Sequence, residues 1–265
     1  MAAVYVESWD EFLEAVQVAG DDVYLPENAV WDMNDIAPEG VDSLPRIECT
    51  HIYGRGTEIR NLRTSTYFVI YAPNVEGVDS LHFVNFVADM GVFFISSPGH
   101  VIFTGCKFSG LCGTQARGVI DCDHTTYQNA SAERCSFVVD SQYGGAFRVA
   151  SIRIKYCRLH IAVPNGTFRM PANSAFFSYF RLDQPTATTL VATSAVGCVF
   201  DGQMQAVTTV QTPQSPPFIS IYCTDALPSI SSSDYLKGVS REHMRDPEYL
   251  ASIGFPIGYE PEEEA

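Results

Sequence analysis

A short phrase that contains cysteine recurs in the middle of the chain and limits what this sequence can fold into. It reads small or apolar, any residue, apolar, any two residues, cysteine, any residue, bulky apolar. Alternation on both sides of the two-residue gap predicts two short strands that each bury one face, with a bend between them. The four copies are Val101, Phe103, Cys106, Phe108; Ala130, Ala132, Cys135, Phe137; Ile152, Ile154, Cys157, Leu159; and Thr193, Ala195, Cys198, Phe200.

The spacing of this phrase predicts a repeating fold. A fifth copy has Phe86 in the position of the cysteine, which we call the slot, so that slots stand at positions 86, 106, 135, 157 and 198. The last step is the longest and fits two turns. In three of the five copies the residue before the slot is Asn85, Gly105 or Gly197, and Asn and Gly tolerate the left-handed conformation of a sharp bend. A strand–bend–strand unit that recurs regularly predicts a solenoid, in which each coil buries its apolar face against its neighbours.

A second phrase, which begins with glycine, precedes the first in each predicted coil. Gly91, Gly118 and Gly145 begin it at equal steps along the chain, and the segments that start at Ser174 and Phe218 are interpreted as later members. Each coil is therefore expected to hold three short strands. The alignment places four residues in one column, one coil apart: Phe94, Asp121, Arg148 and Phe177.

Together the two phrases resemble the right-handed parallel β-helix of the pectate-lyase-like superfamily. The resemblance covers roughly residues 20–225 and implies an all-β fold. It also implies three parts of the chain. Residues 1–46 would form an N-terminal cap with the first strands, residues 47–225 the parallel β-helix, and residues 226–265 a C-terminal docking segment with an acidic tail.

The N-terminal region predicts an amphipathic helix over residues 8–19. Ser8 followed by Glu11 is a capping box. We expect this helix to cover one end of the solenoid, because an open end exposes apolar core and unpaired strand edges. Its predicted apolar stripe consists of Phe12, Leu13, Val16 and Ala19.

Eight cysteines are present, at positions 49, 106, 112, 122, 135, 157, 198 and 223. There is no Cys-x-x-Cys pair of the kind that zinc sites favour. Strands of one sheet lie about 4.8 Å apart, which brings slot cysteines close together. No secretory signal is visible, so we expect synthesis in a reducing cytoplasm. Three interpretations stay open: stacked core thiols, some disulfides, or a metal site.

Charge and composition exclude several classes of partner. The chain has 16 basic and 31 acidic residues, a net charge of −15. Nucleic acid is not expected as a ligand, because phosphate binding needs clustered Lys and Arg. A membrane span is not expected either, since the sequence contains no apolar run long enough to cross a bilayer. The sequence contains no dense acidic cluster for calcium and no cofactor motif, so apart from the open question of the cysteines it predicts no metal and no cofactor.

The best catalytic constellation in the sequence is Asp121 and Asp123 with Arg148. Polysaccharide lyases and hydrolases of the superfamily that the chain resembles carry carboxylates and basic residues on an exposed strand face. A hydrolase needs two carboxylates, and a lyase needs a base with a cation that stabilises the enolate. A surface ion pair between coils explains the same residues. Whether the chain is an enzyme stays open, with the weight against it.

Aromatic residues give another interpretation, a carbohydrate-binding adhesin without catalysis. Tyr127 and Tyr143 lie in or near predicted loops, and tyrosine rings can stack on sugar faces.

The C-terminal region predicts two short helices, over Asp234–Met244 and Pro247–Ile253. The alternating residues Phe255, Ile257 and Tyr259 follow. Three arrangements stay open for them: docking on a partner molecule as a strand, packing on the end of their own coil, or no packing.

The resemblance extends to the tailspikes and decoration proteins of tailed bacteriophages, which are commonly trimers. It implies a structural virion protein, a β-helical decoration, spike or appendage that is made in the host cytoplasm and carried on the virion. The expected partners are other virion proteins, further copies of the chain with a trimer favoured, and a cell-surface glycan. On this interpretation residues 229–265 serve assembly, and deleting them leaves a folded solenoid.

Overall fold

Parallel β-strands make up most of the structure. The computed structural model describes residues 2–39, 45, 47–62, 68–70, 80–90, 93–95, 100–109, 120–122, 130–139, 152–161, 167–170, 175–182, 189–192, 195–202, 206–209, 219–225 and 236–256. Every strand pairing within these residues is parallel. Parallel neighbours require a crossover connection instead of a hairpin.

The strands are short and few helices interrupt them. The first group is β1 Ala3–Tyr5, α1 Trp9–Ala15, β2 Asp22–Tyr24, β3 Val30–Asp32, α2 Met33–Ile36, β4 His51–Tyr53 and β5 Glu58–Leu62. The second is β6 Phe68–Ile70, β7 Ser80–Val84, β8 Val87–Met90, β9 Phe93–Ile95, β10 His100–Thr104, β11 Lys107–Ser109, β12 Ile120–Cys122, β13 Ala130–Glu133 and β14 Ser136–Val139. The third is β15 Ile152–Lys155, β16 Arg158–Ile161, β17 Thr167–Met170, β18 Ala175–Phe176, β19 Tyr179–Leu182, β20 Thr189–Ala192, β21 Ala195–Val196, β22 Val199–Gly202, β23 Ala206–Thr209, β24 Ser220–Cys223, β25 Leu236–Val239, a 3-10 helix His243–Arg245 and α3 Pro247–Ser252.

The strands form two large parallel sheets and two small ones. The nine-stranded sheet has the order β1-β2-β4-β7-β10-β13-β15-β18-β21, and the ten-stranded sheet has the order β25-β24-β22-β19-β16-β14-β11-β8-β5-β3. The small sheets are β12-β9-β6 and β17-β20-β23. From β7 onwards, each strand of the nine-stranded sheet is followed at once by a strand of the ten-stranded sheet. The fold is therefore all-β and parallel, and compatible with a β-helix-like solenoid.

The predicted bends are confirmed where the chain passes from one large sheet to the other. The residue before the slot has a positive φ in all five copies: 50° at Asn85, 65° at Gly105, 54° at Arg134, 53° at Tyr156 and 62° at Gly197. A sixth bend has the same conformation at Phe177, where φ is 47°. A left-handed residue turns the chain sharply enough for both flanking strands to bury the same side.

The slot residues lie in register along the ten-stranded sheet, as the spacing predicts. We call this row of residues the slot file. Each of its members lies next to a paired strand position: Thr57, Phe86, Cys106, Cys135, Cys157, Ser178, Cys198 and Ser220. Ser178 lies between Cys157 and Cys198, which confirms that the long step between these two cysteines is two repeats. The Ser178 hydroxyl accepts a hydrogen bond from the Cys157 N–H at 3.1 Å. The Ser220 hydroxyl accepts one from the Cys198 N–H at the same distance.

Two segments belong to a different phrase from the one predicted. The segment at Ser174 is not a glycine-led member, because Ala175 and Phe176 pair with β15 in the nine-stranded sheet. Phe177 therefore lies at a bend and does not extend the predicted column. The segment at Phe218 likewise supplies Ser220 to the slot file. The sequence pattern does not detect these two slots, because it is defined on apolar residues and both slots hold a serine.

The interior is one continuous apolar cluster that extends along the chain from Val6 to Leu236. Phenylalanines on neighbouring strands stack within it. Ring centroids are 5.2 Å apart for Phe83 and Phe103, 5.5 Å for Phe108 and Phe137, and 5.0 Å for Phe180 and Phe200. The predicted alternation thus places its apolar residues on a shared inner side.

Helix α1 is shorter than the predicted helix. The Ser8 hydroxyl accepts from the Glu11 N–H at 3.3 Å, but the Glu11 carboxylate accepts from the N–H of Glu7 and not from that of Ser8. Only half of the predicted capping box forms. Phe12 and Val16 are buried as predicted, whereas Ala19 is exposed, because the helix has already ended.

The C-terminal segment folds back over the ten-stranded sheet. Leu236–Val239 is a strand and not part of the predicted helix over Asp234–Met244, whereas the second predicted helix is present as α3. At β22 and β24 the sheet is buried on both sides. The core covers one side, and a second cluster covers the other. That cluster consists of Val199, Ile221, Cys223, Val239, Met244, Leu250 and Phe255.

Candidate binding surface

The predicted catalytic constellation is described only in part. Asp121 lies on β12 and pairs with Phe94 on β9, which confirms that these two residues share one column. The remaining predicted loop and catalytic residues lie outside the described part of the chain: Asp123, Tyr127, Tyr143 and Arg148.

The predicted docking residues have different places. Phe255 is 3% exposed and belongs to the cluster that covers the outer side of β22 and β24. This is packing on the chain's own body, one of the three arrangements that the sequence left open. Ile257 and Tyr259 lie outside the described residues.

A row of stacked aromatic side chains lies on the outer side of the nine-stranded sheet at its β1 edge. Tyr5, Tyr24 and Tyr53 occupy equivalent positions on β1, β2 and β4. Ring centroids are 4.9 Å apart for Tyr5 and Tyr24 and 4.5 Å apart for Tyr24 and Tyr53. Tyr5 is 62% exposed. It is the end of the row and lies on the edge strand.

A carboxylate and two imidazoles form a second row beside the tyrosines. Asp22, His51 and His82 occupy equivalent positions on β2, β4 and β7. His51 Nδ1 lies 2.8 Å from Asp22 Oδ1, and the His51 and His82 ring centroids are 4.6 Å apart. We call the two rows together the tyrosine–histidine face. Asp22 can hold the His51 ring in one orientation.

Burial and neighbouring groups shift the pKa values of two residues of this face, His82 and Tyr53. Burial lowers the pKa of His82, and the neighbouring His51 lowers it further. The His82 ring is therefore neutral at pH 7. Burial raises the pKa of Tyr53, and the charge of Asp22 raises it further. The Tyr53 hydroxyl therefore stays protonated. The face therefore offers a neutral imidazole at His82, the Tyr53 hydroxyl and the Asp22 carboxylate beside aromatic rings, which suits a polar ligand or a protein surface.

Arg55 braces the end of the tyrosine row. Its Cζ lies 5.5 Å from the Tyr5 ring centroid. Its guanidinium donates to the carbonyl oxygen of Leu25 at 3.3 Å and pairs with Glu27. The Tyr5 ring thus lies next to both the Arg55 guanidinium and the Tyr24 ring. A preorganised ring loses little conformational entropy on binding.

The tyrosine–histidine face is absent from the sequence predictions, although a signal for it exists. Each tyrosine follows a β-branched residue, in the pairs Val4-Tyr5, Val23-Tyr24 and Ile52-Tyr53. Because these strands alternate, the tyrosine of each pair lies on the outer side. The pattern built on the cysteine slot does not detect β1, β2 and β4, because no cysteine occupies the slot position near these strands.

The buried thiols are part of the packed structure, and four of them belong to the slot file: Cys106, Cys135, Cys157 and Cys198. Six described cysteines are free and buried. The interpretation as stacked core thiols is confirmed for the four in the slot file, whereas Cys49 lies elsewhere in the core and Cys223 lies in the outer cluster. Cys106 Sγ donates to the Phe83 carbonyl oxygen at 3.3 Å, and Cys157 Sγ donates to that of Ala132 at 3.3 Å. Burial raises the pKa of Cys49 to about 12. Within the described residues no group of three His, Cys, Asp or Glu side chains is placed to hold a metal ion.

We expect these six thiols to resist an aromatic disulfide reagent at about pH 8, because all six are buried and a buried thiol in apolar surroundings is inert. The clean measurement uses the double variant Cys112→Ser, Cys122→Ser, which removes the two thiols whose side chains are not described. The native variant should show no thiol that reacts within minutes. After unfolding, all six should react. Rapid reaction of any of them in the native state would contradict the assignment.

Comparison of the chain with protein-family models, with curated proteins and with solved structures found no match. Among the described residues, no helix has the length and apolar character needed to span a membrane.

Proposed function

We propose that the chain is a structural protein: a right-handed parallel β-helix that serves as a rigid component of a larger assembly. Three observations support the solenoid: the alternation of strands between the two large sheets, the left-handed bends and the slot file. We also propose that α1 covers one end of it. The ring centroids of Trp9 and Phe12 both lie 5.9 Å from that of Trp31 on β3, the edge strand of the ten-stranded sheet.

The assembly contact that we propose is the tyrosine–histidine face together with strand β1. The observation that carries this proposal is Tyr5, a large aromatic residue that is 62% exposed on an edge strand. Exposed tyrosines are enriched in protein interfaces and often dominate their binding energy. Edge strands accept further strands through their unpaired backbone groups. Assembly is thus assigned to the β1 edge, since the residues described between 236 and 256 already pack on the chain's own body.

The particle that we propose is a tailed-bacteriophage virion, on which the chain acts as a decoration, spike or appendage. This assignment rests on the resemblance of the two phrases to β-helical virion proteins. It carries with it the proposed partners, which are other virion proteins and further copies of the chain as a trimer, and synthesis in the host cytoplasm.

The test is whether the chain is a stoichiometric part of purified particles. Particles are banded on a density gradient and washed at high salt, and the chain is quantified against the major coat protein. We expect a fixed ratio of copies for the natural chain and at least a tenfold loss of incorporation for Tyr5→Ala, because an interface tyrosine is worth about 1.4 kcal/mol or more.

The matched control is Val30→Ala, which changes a residue 51% exposed on the edge strand of the other large sheet. It should incorporate normally, and both variants should keep the thermal midpoint of the natural chain within a few degrees. Absence of the chain from banded particles would end the proposal of a virion component. Equal incorporation of both variants would remove the proposed contact at β1.

A further inference from the structure

Three successive bends carry side chains that the bend itself does not favour. Arg134, Tyr156 and Phe177 have φ values of 54°, 53° and 47°, a conformation that costs roughly 1–2 kcal/mol for a residue with a side chain. Equivalent bends in the same chain use Asn85, Gly105 and Gly197. Residues held in such a conformation are found where the side chain has a role.

The three side chains form a continuous row along the outside of the bends, which we call the bend ridge. Arg134 Cζ lies 5.8 Å from the Tyr156 ring centroid, and the Tyr156 and Phe177 centroids are 5.5 Å apart with an interplanar angle of 19°. The Lys155 ammonium lies 4.9 Å from the Tyr156 centroid. Tyr156 is 46% exposed. The ridge is thus an accessible surface of two aromatic rings and two cations, of which Arg134 pairs with the neighbouring Glu133 at 3.3 Å.

The described part of the C-terminal segment ends at the bend ridge. A Cβ atom added at Gly197 would lie 2.7 Å from Phe177 Cδ1 and 2.8 Å from Pro256 Cγ. Pro256 therefore lies in the next position of the same row, and glycine is required at 197 because both neighbours fill that space. The residues that follow Pro256 start beside the ridge.

The sequence after Pro256 complements the ridge in charge and character. Residues 257–265 read Ile-Gly-Tyr-Glu-Pro-Glu-Glu-Glu-Ala, in which two large apolar side chains precede four glutamates. On a chain of net charge −15, the ridge carries two exposed basic residues, Arg134 and Lys155, against the carboxylate of Glu133. Opposite charges at partly exposed positions attract, and the attraction weakens with salt.

Distances along the ridge match the length of this segment. Neighbouring parallel strands are about 4.8 Å apart, so Tyr156 lies roughly 10 Å and Arg134 roughly 14 Å from Gly197. Nine extended residues reach about 30 Å. The segment can therefore pass Phe177 and Tyr156 with its apolar residues and bring its glutamates to Lys155 and Arg134.

We propose that the bend ridge is the docking surface for residues 257–265 of the same chain, with Ile257 and Tyr259 against the aromatic rings and the glutamates against Lys155 and Arg134. The proposal is independent of the proposed function. Binding of residues 257–265 to the ridge would weaken as ionic strength rises. Release of this segment would increase the exposure of Tyr156.

Zero-length cross-linking tests this on the full chain, because the sequence has three lysines, Lys107, Lys155 and Lys237. A water-soluble carbodiimide joins a lysine amine to a carboxylate in contact with it, and mass spectrometry identifies the pair. We expect the glutamates at 260–264 to couple to Lys155 at least fivefold more than to Lys107 or Lys237. Mixing separately folded ¹⁴N and ¹⁵N chains should give unmixed products, as expected for contact within one chain.

Two controls make the result decisive. Arg134→Gln, or an increase of NaCl from about 0.05 to 0.5 M, should reduce coupling at Lys155 severalfold. Arg60→Gln, which removes an exposed arginine on β5 near the opposite end of the sheet, should not. Equal coupling to all three lysines, or preferred coupling to Lys107 or Lys237, would overturn the proposal. Mixed-isotope products would instead assign the ridge to the tail of a second copy and equally overturn it.

Discussion

Ending the chain after Ser240 is expected to lower the free energy of unfolding by about 3–6 kcal/mol, because two buried aliphatic side chains become exposed. The truncation keeps β25 but removes α3 and Phe255, which cover the outer side of β22 and β24. Val199 and Ile221, 2% and 1% exposed, then face water, and each loses about 1.5–3 kcal/mol of burial energy. Thermal unfolding followed by circular dichroism should show a midpoint lower by roughly 10–20 °C.

Two further truncations separate the contributions within this segment. Ending the chain after residue 235 also removes β25, whose Leu236 and Val239 are each 1% exposed, and should yield aggregated protein. Ending it after Pro256 keeps every residue of the outer cluster and should shift the midpoint by only a few degrees. These expected results differ from the sequence-based expectation that deleting residues 229–265 leaves a folded body, because the structure packs part of that segment on β22 and β24. If the chain that ends after Ser240 melted like the full chain, the outer cluster would not be stabilising.

Replacing Gly54 by alanine is expected to prevent accumulation of folded protein, with a loss of more than about 4 kcal/mol. The added Cβ would overlap the carbonyl oxygen of Asn85 and lie 2.8 Å from both the Asn85 carbonyl carbon and the Phe86 Cα. All three are backbone atoms of the neighbouring repeat, so no side-chain rotation can relieve the clash. The Gly54 N–H also donates a hydrogen bond to this repeat, to the carbonyl oxygen of Val84 at 2.8 Å.

Gly20→Ala is the matched control for this substitution. Gly20 has a φ of +80°, but an added Cβ would meet nothing within 4 Å. It should cost only about 1–2 kcal/mol, which is the strain of the left-handed conformation for a residue with a side chain. The soluble yield and the urea unfolding of the two variants are measured side by side. The loss in Gly54→Ala reports the steric clash, and the loss in Gly20→Ala reports the backbone strain alone. Similar stabilities would show that the contact at Gly54 relaxes without loss.

The bends and the inner side of the strands are predictable from the sequence because both leave a local signal. Gly105 and Asn85 mark left-handed turns, and the alternation around Cys106 marks which side chains are buried. The same logic fails at Ser178 and Ser220, where a hydroxyl bonded to the neighbouring backbone replaces a thiol. A pattern based on polarity does not detect a buried polar residue whose partner lies on the preceding repeat.

The outer cluster and the tyrosine–histidine face depend on contacts that no local pattern contains. Val199 and Ile221 alternate with inward residues and so read as an outer face, and only the tertiary structure shows that a later segment covers them. The sequence assigns Leu236–Val239 to a helix because Lys237 and Gly238 interrupt its alternation. The stacking of Tyr5 on Tyr24 requires the register between two strands that are separated by a helix.

The slot file also bears on how such a chain can change length during evolution. From Phe86 to Cys198 the slots stand at positions 86, 106, 135, 157, 178 and 198, so their spacing is unequal, yet the strands on both sides of each slot keep the same register. All of the variation is therefore absorbed between one strand–bend–strand unit and the next. Insertions and deletions in these intervals leave the stacking intact, whereas a single residue gained inside a unit would turn its buried side chains outward.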